Sequence, residues 1–203
     1  MGKIFVVGVG PGSDEFLTPC ARKIIDKADI LVGGNKILSS FKNKRKKVID
    51  KDLEEIIGFI GEHKEKNIAV LTSGDPGFYS ILALILKKFP KEEIEVIPGI
   101  SSMQLCFAKI KEIWHDAKFI SLHGRNMDIL VEEIKDHPKI AILTDPSNPP
   151  NKIAELLIQN NIPCEKIAVC ENLSLSSEKV ILTSVEEVFR KKFSGNCVVV
   201  IFR

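Results

Sequence analysis

Short β-branched runs that stop on glycine alternate with segments of helical period through the first half of this chain. "KIFVVGVG" is a β-branched apolar run bounded by glycines and reads as a buried strand, and "NIAVLTSGD" and "IEVIPG" read as strands that run into glycine. Between and around them lie "TPCARKIIDKA", "KDLEEIIGFIGEHKEK", "YSILALILKKF" and "SSMQLCFAKI", with apolar residues at helical spacing. Thr18 is a good N-cap and Pro19 fits the first helical position. "DILVGG" and "KKVID" add two shorter strands. Strand and helix repeating several times predict an α/β fold with a mostly parallel sheet and helices on both faces.

The alternation falters at "KEIWHDA", Lys111 to Ala117, and then a second series begins. "KFISLHG", "KIAILTD", "KIAVCEN", "EKVILTS" and "CVVVIFR" read as strands, and "NMDILVEEIKDH", "NPPNKIAELLIQN" and "VEEVF" as helices. Two of these strands follow each other without a helix between them, which predicts a mixed sheet. The reading is two α/β domains, residues 1–113 and 114–203, without internal repeat or low-complexity segment.

At 203 residues the chain can bury a sizeable core. A formal net charge of +2 gives no case for nucleic-acid binding, which leaves a basic excess on its proteins. The local run "KNKRKK", Lys42 to Lys47, is either a solvated loop or a patch that draws an anion. Five cysteines, Cys20, Cys106, Cys164, Cys170 and Cys197, form no CxxC and no disulfide framework; they read as reduced thiols, mostly buried. "MGKIFVVGVG" turns to glycine too soon for a signal peptide, and no apolar run reaches a membrane span of roughly 18 residues. Together these point to the cytoplasm, away from any membrane.

Three strand ends carry the candidate chemistry. "GVGPGS", Gly8 to Ser13, is not a dinucleotide fingerprint: its spacing is G-x-G-x-G, and Pro11 removes an amide that a phosphate would need. Nor is it a Walker loop, since no Gly-Lys-Ser/Thr follows. It is either a tight strand-to-helix turn or a glycine bend that admits a ligand. "LTSGDPGFYS" sets Asp75 between Gly74 and Pro76, with Phe78 and Tyr79 just beyond; a plain Asp-Pro turn and a ligand loop both fit. "VIPGISSMQ" ends a strand on Pro-Gly, and Ser101 and Ser102 either cap the next helix or offer hydroxyls to a ligand. Ligands of parallel sheets collect at the carboxyl ends of strands. None of the three loops carries a cation, so the ligand need not be a polyphosphate.

"VGVGPGSDEFLTPCARKIIDKADILVG", "SGDPGFYS" and "VIPGISSMQ", in that order, resemble the tetrapyrrole methylase family, S-adenosylmethionine-dependent enzymes of corrinoid and sirohaem synthesis with diphthine synthase as a relative. "WHDAKFISLHGR", "ILTDPSNPPNKIAELL" and "VCENLS" resemble the branch that methylates cobalt-precorrin-7 at ring carbon 5. The resemblance implies the tetrapyrrole methylase fold, two α/β domains with the cofactor in the cleft between them, and S-adenosylhomocysteine as product. Matched by motif, Gly10, Pro11, Gly74, Asp75, Phe78, Ser101 and Ser102 would bind cofactor in the first domain, and Leu143, Thr144 and Asn172 in the second. His123 and Glu171 would be the catalytic candidates, each with a structural alternative: a strand-end histidine on a backbone carbonyl, or a salt bridge. Arg125 would hold a carboxylate of the tetrapyrrole or corrinoid substrate. Trp114 and His115 read as a hinge and Asp116 as a cap or surface charge. No protein-bound metal is expected; any cobalt would come inside the substrate.

The resemblance also implies a homodimer. The chain stops after its last strand, so methylation at carbon 15 with decarboxylation is expected of a separate protein. Other readings stay open: carbon 20 or uroporphyrinogen methylation, diphthine synthesis (against which Pro11 speaks) or a binding or scaffold subunit without catalysis.

Overall fold

The computed structural model describes residues 2–42, 44–49, 52–193 and 196–203. The chain divides into two compact units, Met1–Ser101 and Ser102–Arg203. The first contains β1 (Ile4–Gly8), α1 (Pro19–Lys27), β2 (Ile30–Gly33), α2 (Asn35–Ser39), β3 (Arg45–Val48), α3 (Leu53–Glu62), β4 (Ile68–Thr72), α4 (Leu82–Lys88) and β5 (Ile94–Ile97). Its five strands lie in the order β3-β2-β4-β1-β5, and every pairing is parallel.

Local signals start the helices where the sequence places them. Thr18 accepts the Ala21 amide at 3.2 Å ahead of Pro19. Asp52 accepts the Glu54 and Glu55 amides ahead of α3. Both faces of the sheet are covered. Ile56 and Ile60 of α3 and Ile85 of α4 pack with Val6, Val32 and Val70 on one face. Ala21 and Ile25 of α1 and Leu38 of α2 pack with Val7, Leu31 and Leu71 on the other. Alternate residues of β1, β2 and β4 thus go to opposite cores, which is why these three strands carry no polar face.

Arg45, Lys46 and Lys47 of the basic run lie in β3, at the edge of this sheet. Lys44 donates to the Asp26 and Ala28 carbonyls, Arg45 meets His63 at 3.0 Å, and Lys47 pairs with Glu55. Asn43 within that run lies outside the described residues.

The second unit contains α5 (Ser102–Ile110), β6 (Lys118–Ser121), α6 (Asp128–Asp136), β7 (Lys139–Leu143), α7 (Pro150–Gln159), β8 (Lys166–Glu171), β9 (Lys179–Thr183), α8 (Val185–Phe189) and β10 (Cys197–Phe202). The strand order is β6-β7-β10-β8-β9. Only β6 and β7 run parallel; β10 is antiparallel to β7 and β8, and β9 to β8. The sheet is therefore mixed. Helices α6, α7 and α8 bury Leu130, Ile134, Ile153, Leu157 and Val188 against one of its faces.

The two compact units divide between Ser101 and Ser102, where α5 begins and packs on β9 and β10 of the second unit. One expectation is corrected. The cysteines are not all reduced: Cys106 on α5 and Cys170 on β8 form a disulfide with their Cα atoms 5.9 Å apart. They stand 64 residues apart, so nothing local in the sequence announces the pair. Cys20 is an exposed thiol, Cys164 is partly covered and Cys197 is buried.

The segment after α5 has an anchor that the sequence did not reveal. Lys139, only 8% exposed at the start of β7, donates to the Ile113 carbonyl at 3.0 Å and to Asp116 at 3.1 Å. Asp116 is thus the partner of a buried ammonium, which holds its carboxyl below the usual carboxylate range. Trp114 is half exposed, with its ring edge-on to Phe119. Among the described residues, no helix is long and apolar enough to cross a membrane.

Candidate active site

In the first unit the loops after β4, β1 and β5 come together, since those strands are neighbours in that order. The chain after β1 stays beside the loop after β4. The Val9 amide donates to the Thr72 carbonyl at 3.0 Å, and the Gly74 amide donates to the Gly10 carbonyl at 2.8 Å. Gly8, Gly74 and Gly99 interlock. A Cβ on Gly8 would lie 2.6 Å from the Gly74 carbonyl oxygen and 2.7 Å from the Gly99 nitrogen. One on Gly99 would lie 2.3 Å from that same oxygen. The close approach that these glycines permit is therefore, in the first place, that of neighbouring backbone.

Asp75 fastens the arrangement. Its Oδ1 accepts the Gly77 amide at 2.8 Å within its own turn, and its Oδ2 accepts the Gly99 amide at 3.0 Å across β1, the one strand between β4 and β5. Ser80 donates to the Pro76 carbonyl and accepts the Leu82 amide at 3.1 Å, closing the loop onto α4. Phe78 and Tyr79 meet edge to face with centroids 4.8 Å apart. Pro11 is partly covered, and Ser101 is buried as the first unit ends. Gly10, Gly74 and Asp75 are thus brought to one place.

In the second unit, the turn after β6 holds His123 and Arg125, both exposed. The Leu122 amide donates to the Leu143 carbonyl at 2.9 Å and the Arg125 amide to the Leu122 carbonyl at 3.0 Å. Asp145, which sequence reasoning passed over, is buried beside this turn. Its Oδ2 accepts the Gly124 amide at 3.0 Å, and its Oδ1 accepts the Ser147 and Asn148 amides at 2.9 and 2.8 Å. The Gly124 amide above all, then those of Asn148 and Ser147 and the nearby His123, hold its carboxyl below the usual range against the opposing effect of burial. The signal was present in "TDPSNPP", the same strand-end Asp-Pro as in "SGDPG".

Leu143 ends β7. Thr144 is consumed in joining β7 to β10: its hydroxyl donates to the Cys197 carbonyl at 2.9 Å and accepts the Cys197 amide at 3.0 Å. Glu171 closes β8 opposite Cys197 and Lys179. It lines a cavity of about 280 Å³ with Lys179, Lys191 and Lys192. Asn172 follows with φ 51°, its amide donating to the Asn196 carbonyl. The sheet does not bring the two catalytic candidates together. His123 follows β6 and Glu171 ends β8, with β7 and β10 between, a separation of about 14 Å at strand spacing. Ser102 opens α5 of this unit. Among the described residues, no group of three or more His, Cys, Asp or Glu side chains is placed to hold a metal ion.

The three loops of the first unit share one chemical character. Val9–Ser13, Ser73–Ser80 and Pro98–Ser101 contain no lysine or arginine to repel a cation. They offer backbone groups, hydroxyls and one carboxylate instead.

The sequence matches the family model described as Tetrapyrrole (Corrin/Porphyrin) Methylases over residues 3–188. It is 41% identical over 207 residues to the probable cobalt-precorrin-7 C(5)-methyltransferase of Methanocaldococcus jannaschii, covering 94% of this chain and 93% of that one. It is 32% identical over 198 residues to the cobalt-precorrin-7 C(5)-methyltransferase of Salmonella typhimurium, covering 97% of each. Among solved structures, the methyltransferase CobJ superposes with a TM-score of 0.80 at 19% identity, over 100% of this chain and 95% of that one. The Thermus thermophilus uroporphyrin-III C-methyl transferase complexed with S-adenyl homocysteine superposes at 0.77 with 21% identity, over 100% and 98%. These two structures bear on the fold alone.

Proposed function

Since the chain belongs to the tetrapyrrole (corrin/porphyrin) methylase family, we propose that it methylates cobalt-precorrin-7 at ring carbon 5 in cobalamin biosynthesis, with S-adenosylmethionine as donor. The observation that carries this reading is the 41% identity, over 94% of this chain, with a relative named as a probable enzyme of that reaction. S-adenosylhomocysteine is the second product.

The donor supplies a methyl group already activated by the positive charge on sulfur, so the protein's main task is to hold two reactants in line. The three glycine-bounded loops of the first unit, with Gly10, Pro11, Gly74, Asp75, Phe78 and Ser101, hold the nucleoside through backbone groups and ring contacts. Asp75 serves by fixing the loops after β4 and β5 to each other. In the second unit Ser102, Leu143, Thr144 and Asn172 contribute backbone. Arg125 engages a carboxylate arm of the macrocycle. His123 sits two residues away and takes the proton released at the acceptor. Glu171 shares its cavity with three lysines, a setting that suits a charge-balancing role as well as proton transfer.

The protein works in the cytoplasm as a homodimer. Carbon 15 methylation and decarboxylation fall to a separate protein. In support, the relatives of Methanocaldococcus jannaschii and Salmonella typhimurium are named for carbon 5 alone.

The test is incubation with methyl-labelled S-adenosylmethionine and cobalt-precorrin-7, with the new methyl group located by NMR. A label at carbon 5 is the expected result. A label at another carbon moves the protein to another branch of the family. Saturable donor binding without methylation of any cobalt-precorrin overturns the enzymatic reading.

A further inference from the structure

The turn Leu122–Arg125 presents the two exposed side chains through which the second unit would address an acceptor. Two residues of the loop between β7 and α7 fasten its backbone from outside. Asp145 Oδ2 accepts the Gly124 amide at 3.0 Å, while Asn148 Nδ2 donates to the Leu122 and Arg125 carbonyls, each at 3.2 Å. Asp145 Oδ1 is occupied by the Ser147 and Asn148 amides, so one carboxylate oxygen builds its own loop and the other reaches the turn. Gly124 itself gives the turn no rigidity. Its φ is +67°, and the position of a Cβ there has nothing within 4 Å. Asp145 is only 7% exposed. A buried carboxylate is costly unless its oxygens are hydrogen-bonded, and three amides meet that need here.

We propose that Asp145 and Asn148 are positioning residues for the acceptor: by clamping the Leu122–Arg125 turn they hold the backbone from which Arg125 grips a carboxylate of the macrocycle. This rests on the role given to Arg125 above. Asparagine at 145 separates the two duties of the carboxylate. Its single carbonyl oxygen can still accept the Ser147 and Asn148 amides, but its NH₂ group cannot accept from Gly124.

The probes are cobyrinic acid, a corrinoid with free carboxylate arms, and its heptamethyl ester, which lacks those charges. Binding of each is measured by equilibrium dialysis to wild type, Asp145→Asn, Asn148→Ala, Arg125→Ala and Asp145→Asn/Arg125→Ala, with S-adenosylmethionine affinity measured alongside by calorimetry. The wild type binds the acid about tenfold more tightly than the ester, as a charge-assisted contact predicts. Asp145→Asn and Asn148→Ala each lose most of that preference, with ester and donor affinities within about twofold of wild type. Adding Asp145→Asn to Arg125→Ala costs little more, because both act on one contact.

The proposal is overturned by an Asp145→Asn protein that keeps the acid preference, by acid, ester and donor affinities that fall together, or by a wild type that does not distinguish acid from ester. Failure of the methylation reading shows differently, as a wild type that methylates no cobalt-precorrin while its acid preference still depends on Asp145.

Discussion

Asp75 and Asp145 are each followed by proline at the end of a parallel strand, and each ties its own loop to a glycine of another. What they hold differs. Asp75 fastens Gly99, which is wedged against the Gly74 carbonyl and Gly8 so closely that no side chain fits. Asp145 fastens Gly124, which has open space around it. The first clamp closes backbone on backbone and makes a rigid wall. The second steadies a turn whose neighbouring residues, His123 and Arg125, remain exposed. One local device thus shapes a surface in one unit and presents side chains in the other.

The widest gap between the two clamps should appear when their glycines gain a methyl group. Gly99→Ala places a carbon 2.3 Å from the Gly74 carbonyl oxygen, with only backbone to give way. A loss of about 3 kcal/mol in a urea melt is expected, with donor binding lost as well. Equal stability of Gly99→Ala and Gly124→Ala would erase the distinction between the sites.

Next in size is Asp75→Ala, which strips the acceptor from two amides. Calorimetry should show weaker S-adenosylmethionine binding, and melts a cost of about 2 kcal/mol with the fold intact. An unchanged donor affinity would remove Asp75 from the cofactor site. Gly124→Ala should cost about 1 kcal/mol, the strain of a left-handed residue with no steric clash.

Acid titration reads the smallest effect. Asp145 has a folded pKa below its unfolded value near 3.9, so its contribution is present above about pH 4 and fades as pH falls through the lower folded value. The stability difference between wild type and Asp145→Asn should therefore narrow on acidification. A difference that is constant from pH 6 to about 2 would count against the charged clamp.

The parallel and mixed sheets were legible because buried strands, glycine stops and N-caps are local signals. Thr18 and Pro19 open α1 as read. The interlock of Gly8 with Gly99 was not legible, since it depends on β1 lying between β4 and β5. The same holds for Cys106 with Cys170, and for Lys139 with Asp116, which meet only through tertiary packing. Asp145 was legible in principle. Its Asp-Pro repeats the signal at Asp75, one residue beyond Thr144, which is occupied in joining β7 to β10.

The charges on β3 bear on how copies of this chain can meet. Arg45, Lys46 and Lys47 line the free margin of the first sheet. Two such margins laid side by side would set cation against cation along a shared ladder, and the repulsion would disfavour growth of the sheet from one molecule into the next. The β3 edge is thereby a poor surface for self-association.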